Sequence, residues 1–148
     1  MMLLAAVCLG LVTGARTFLA PALLSGYALF FAPDAVIGPF EWLGEWWAFV
    51  PLATLALLEL WGDKLPRTPS RTQTGGVLAR LISGSVTGAA VGGIPTAIAG
   101  IAGAAAGAYG CAALRAVLSQ RLGSDLRGAL VEDALALLGG VLVLTLIL

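Results

Sequence analysis

Five ionisable side chains stand within or beside long apolar stretches and are the groups with chemistry to offer: Arg16, Glu59, Asp63, Glu132 and Asp133. An ionised side chain at mid-bilayer costs at least about 2.5–3.5 kcal/mol on insertion scales, so each needs a counter-charge or water. Arg16 is the sole charge in residues 1–33 and lies in the stretch "VTGARTFLAP". Its candidate partners are Glu59 and Asp133. Glu59 and Asp63 are four residues apart and therefore share a helical face. With Thr17 beside Arg16, these residues form a candidate substrate or ion site. Desolvation favours the protonated form of an unpaired carboxylate, which is what a proton-coupled carrier requires. The competing reading is a static ion pair that only locks helices together.

Other chemistries lack their residues. Histidine is absent, which removes the commonest general base and metal ligand. Cys8 and Cys111 lie in apolar runs and suggest neither a disulfide framework nor a metal site. No cofactor or metal is expected. An enzyme is disfavoured because no nucleophile accompanies the carboxylates. A net charge of zero leaves no nucleic-acid footprint.

The elements that position these groups must live in lipid. The chain has 148 residues, 59% of them hydrophobic and 11% charged, and a mean hydropathy of +1.00, against about 25% charged residues in an ordinary soluble domain. Residues 81–114 carry no charge at all. That run and residues 1–33 both exceed the roughly 18 apolar residues that mark a spanning candidate. The expectation is an all-α, polytopic transmembrane protein forming a single membrane domain over 1–148.

The chain also repeats itself. At an offset of 74 residues, half its length, Val12–Thr13–Gly14–Ala15 meets Val86–Thr87–Gly88–Ala89, Pro21 meets Pro95, and Glu59 falls opposite Asp133. This predicts two tandem halves, 1–74 and 75–148. Segments 62–80 and 115–127 are rich in arginine while 33–46 is acidic, so the positive-inside bias puts the first two on the cytoplasmic side and the third outside. The 34 uncharged residues between Arg80 and Arg115 must then cross twice, in arms of about 17 residues. Breaks are expected around Gly14 and Pro21 in the first half, and around Gly88, Gly92, Gly93 and Pro95 in the second. Each half becomes a broken hairpin plus one span, the first span bounded by Trp46 and Trp61 and the second starting near Gly128. An odd number of segments per half makes an inverted repeat. The alternative is a plain four-helix bundle with long unbroken helices over about 2–32 and 78–114.

Glycines recur at helical spacing, at Gly10 and Gly14, at Gly84, Gly88 and Gly92, and at Gly103 and Gly107. Small residues four apart let helices approach closely within a protomer or dimer, the favoured reading over a pore lining.

The segments "TGARTFLAPALLSG", "LELWGDKLP" and "LVEDALALL" resemble those of the bacterial integral membrane protein family labelled domain of unknown function 4126. The matching positions are Gly14, Arg16, Thr17 and Phe18; Glu59, Leu60, Asp63, Lys64 and Pro66; and Glu132 with Asp133. The resemblance implies a bacterial membrane protein and carries no known activity. The functional expectation is thus a small inner-membrane transporter or channel, as a homodimer in the lipid bilayer, for an anionic or proton-coupled solute. The alternative is a structural or accessory membrane protein, such as a scaffold or lipid-binding subunit.

Overall fold

The structure, a computed structural model, describes residues 1–62 and 74–148. Asp63 lies outside the described residues, as do Lys64, Arg67 and Arg71. Among the described residues, six α-helices follow in order: α1 (Met2–Ala15), α2 (Leu19–Phe30), α3 (Trp46–Gly62), α4 (Thr74–Gly92), α5 (Ile94–Leu122) and α6 (Asp125–Leu146). Two short 3-10 turns, Pro33–Ala35 and Gly38–Gly44, fill the connection between α2 and α3. The all-α expectation holds.

Both long apolar runs are broken, so neither forms the single helix of the four-helix alternative. The first break falls at Arg16–Phe18, where Arg16 has an extended backbone (φ −141°, ψ 115°). The second is Gly93, whose φ of +84° and ψ of −150° only glycine adopts without strain. Pro21 and Pro95 lie just past the breaks, in the first turns of α2 and α5, where the missing N–H would have no intrahelical partner. Gly14 is the second-last residue of α1, two before the break, whereas Gly88 lies inside α4; both pack against α5. Gly92 closes α4. The arms are unequal, since α5 runs 29 residues and carries Arg115 and Arg121 within its helix. The last helix begins at Asp125 and not near Gly128, which places Asp133 about two turns inside it.

Contacts between small residues fix the helix directions. Gly10 and Gly14 lie against Gly103 and Gly107, so α1 and α5 run parallel; Gly84 and Gly88 lie against Gly100 and Thr96, so α4 and α5 run antiparallel. A methyl group on Gly107 would come within 3.0 Å of the Gly14 Cα. Packing this close supplies dispersion energy where lipid already satisfies apolar side chains. The duplicated threonines, Thr13 and Thr87, are fully buried here, and their hydroxyls donate to Gly10 O and Ser83 O on their own helices. Phe30 stacks edge-on against Trp46 at 5.2 Å, making α2 and α3 antiparallel. Ser119 faces Gly128, so α6 descends antiparallel to α5. Six helices therefore alternate in direction.

Helices α5 and α6 are long and apolar enough to cross a membrane. A third candidate span is α3 taken with the preceding 3-10 turn, bent by 71°. At 14 and 12 residues, α1 and α2 are shorter apolar helices, about 21 and 18 Å long. Leu57, Trp61 and Leu146 are each about two-thirds exposed or more, as expected of a surface that faces lipid and not water.

Candidate functional site

The break between α1 and α2 is where the charged residues meet. The helix stops at Ala15, and the extended backbone of Arg16 turns its side chain inward, where it is 0% exposed. Its Nε donates to Asp133 Oδ1 at 2.8 Å, and Nη2 donates to the same oxygen. Asp133 is mostly covered too, with 12% of its side chain exposed. Of the two candidate partners, Asp133 binds the guanidinium.

Glu59 takes a different place. One carboxylate oxygen accepts the Thr17 N–H at 2.7 Å and the other accepts the Phe18 N–H at 2.9 Å. These donors lie just ahead of α2, where backbone N–H groups have no intrahelical acceptor. A carboxylate there also meets the positive end of the α2 dipole. On the opposite side of the same peptide, the Ser83 hydroxyl of α4 donates to Thr17 O at 2.6 Å. Side chains from α3, α4 and α6 thus hold three consecutive residues of non-helical backbone. The tip's polar groups thereby gain the partners that buried irregular backbone requires.

The adjacent acids, Glu132 and Asp133, serve two different arginines. Consecutive helical residues point about 100° apart. Asp133 therefore reaches Arg16, while Glu132, 2% exposed, faces Arg115 Nη1 at 3.8 Å. Arg115 is chiefly bound by Asp125, with Nη2–Oδ2 at 2.9 Å and Nε–Oδ1 at 3.2 Å. Glu132 also borders a cavity of 140 Å³ shared with Val12, Ala15 and Cys111.

The structure gathers Arg16, Thr17, Glu59 and Asp133 at one place and sets Glu132 beside it. Sequence reasoning missed Ser83 and Arg115. Ser83 carries no signal beyond being polar in an uncharged run. Arg115 had one, because a tight turn at Gly123 pairs positions 115 and 132 across two helices. Among the described residues, no group of histidine, cysteine or acidic side chains is arranged to hold a metal ion.

These features describe a helical membrane protein whose backbone is broken at a buried ion pair. The family described as Domain of unknown function (DUF4126) matches residues 3–147, and the chain belongs to it. No curated protein and no solved structure matches the chain.

Proposed function

We propose that the protein is a transporter or channel of the bacterial inner membrane, moving a small anionic or proton-coupled solute. Arg16 meets the anion, Asp133 and Glu59 exchange with it or carry the proton, and Thr17, Asp63 and Glu132 complete the polar site. The observation behind this reading is the buried Arg16–Asp133 pair at the break. A buried ion pair is a weak stabilising device, often matched or bettered by apolar residues of similar volume. This chain already packs its helices through glycines. An exchangeable counter-ion for Arg16 accounts for the charge better than a need for stability does.

The alternating helix directions support an inverted repeat of two halves, each with a break, since α4 runs antiparallel to α1, its Ser83 meeting the break at Thr17. Six helices, two of them short, enclose little space, which favours a homodimer in the bilayer. If the halves are inverted, maleimide labels Glu41→Cys and Gln120→Cys from opposite sides of intact cells. Labelling of both from one side rejects the arrangement.

The transport reading is tested in liposomes loaded with a pH-sensitive dye, using a potassium diffusion potential and chloride or phosphate gradients as probes. Wild type moves protons or the probe anion, whereas Arg16→Gln assembles and does not. One observation favours the static-lock reading: Arg16, Thr17 and Glu59 all have partners within the chain. A wild type without flux, or an Arg16→Gln protein that fails to assemble, supports that reading.

A further inference from the structure

Among the described residues, helices α5 and α6 outrun the other helices at the arginine-rich end. Gly14, near the end of α1, lies against Ala108, and the packing of Gly84 between Gly100 and Ala104 brings the start of α4 level with about residue 112 of α5. Beyond that level α5 continues to Leu122, turns at Gly123, and returns as α6 from Asp125. The result is a two-helix arm about 15 Å long.

The arm's surface carries cations at its tip, where Leu126 is also exposed at 53%, and apolar side chains below them. At the tip, Arg121 and Arg127 are exposed and form no ion pair among the described residues. One turn below them, Val117, Leu130 and Val131 are exposed at 47%, 49% and 38%. Apolar side chains below cations at one level match the transition from acyl chains to phosphates, where arginine stems lie in the apolar region and their heads reach the interface. Length agrees as well. From Arg127 to Leu146 is about 29 Å of helix, against a hydrocarbon core of about 30 Å. The far end of α6 lies beside Phe30 and Phe49, which stack on Trp46, an exposed interfacial tryptophan.

We infer that the α5–α6 arm is a lipid-binding surface, with its apolar rows among acyl chains and Arg121 and Arg127 on the phosphates of anionic phospholipids. The occupant follows from charge: Arg121 and Arg127 are exposed at the tip, the nearby Asp125 carboxylate is already held by Arg115, and two cations there select an anionic headgroup. The arm also sets the depth of the ion pair. Asp133 is six residues along α6 from Arg127, about 9 Å below the phosphate level.

Two measurements test the arm. In a Cys8→Ser/Cys111→Ser background, nitroxides at Val117→Cys and Leu130→Cys in phosphatidylglycerol-containing vesicles should be open to oxygen and closed to a water-soluble nickel chelate. Nickel access at both positions overturns the inference, because the arm then stands in water; spin–spin broadening between copies overturns it by putting a second copy there. In native mass spectrometry of the detergent-purified protein, phosphatidylglycerol should be retained over phosphatidylcholine, each arginine contributing roughly fivefold. Arg121→Gln/Arg127→Gln should lose that preference. Equal retention by wild type, or an unchanged preference in the double variant, overturns the assignment.

Discussion

Asp133→Asn tests the central ion pair directly. In wild type one aspartate oxygen receives two donors from a guanidinium that is 0% exposed. Hydrogen bonds to charged groups contribute about 1.5–3 kcal/mol, and neutral ones about 1 kcal/mol. Asparagine keeps an acceptor but removes the charge, so a loss of about 2 kcal/mol is expected. Asp133→Ala removes both and leaves a buried cation without this partner, for a loss of about 3–5 kcal/mol. Arg16→Gln is destabilising on its own, yet the Arg16→Gln/Asp133→Asn double variant should be less so than the two single losses added, by about 1–3 kcal/mol. The assay is equilibrium unfolding in mixed micelles, followed by tryptophan fluorescence. Single losses that add to within about 0.5 kcal/mol would show no coupling and refute the idea that these residues hold each other.

Further outcomes follow from the other contacts. Glu59→Gln leaves one acceptor oxygen for two N–H groups and turns an amide donor toward the second, so a loss of about 1–3 kcal/mol is expected; hydrogen exchange at Thr17 and Phe18 should quicken, and unchanged protection would show that the carboxylate does not hold them. Gly107→Ala places a methyl 3.0 Å from the Gly14 Cα and against Leu11 O, backbone atoms that cannot swing away, and should destabilise by about 1–3 kcal/mol. Gly139→Ala, with nothing within 4 Å of the added methyl, should instead stabilise α6 by about 0.5–1 kcal/mol; equal effects at the two positions would contradict the packing described. Gly93→Ala also meets open space but should cost about 1–3 kcal/mol through its backbone conformation, read as a lower unfolding midpoint.

Much of the site was legible because charge is conspicuous in lipid. Arg16 stood alone among 33 residues, and an isolated arginine in such a run calls for a counter-charge or water. Only Glu59, Asp63, Glu132 and Asp133 were available at a plausible depth. Which one answered was not legible, since the choice depends on how α1 and α6 are rotated about their axes. The role of Glu59 was also hidden, because its partners are backbone N–H groups and any sequence supplies those. The breaks were legible to within a few residues. Glycine and proline marked the neighbourhoods, but Gly88 is indistinguishable in sequence from a break residue and was claimed by the α5 interface instead.

By itself the sequence determined that the chain is helical with the character of a membrane protein, and that Arg16 needs a counter-charge or water; it favoured interruption of the two long apolar runs over unbroken helices. Composition and periodicity suffice for these, because hydrocarbon forces backbone groups to pair within helices and raises the free energy of a lone charge. Only the tertiary structure decided that Asp133 binds Arg16, that Glu59 and Ser83 hold the tip, and that α5 and α6 extend past their neighbours as an arm. Those outcomes depend on rotations and offsets between helices, which are set by close backbone contacts such as Gly14 on Gly107, and no one-dimensional pattern encodes them.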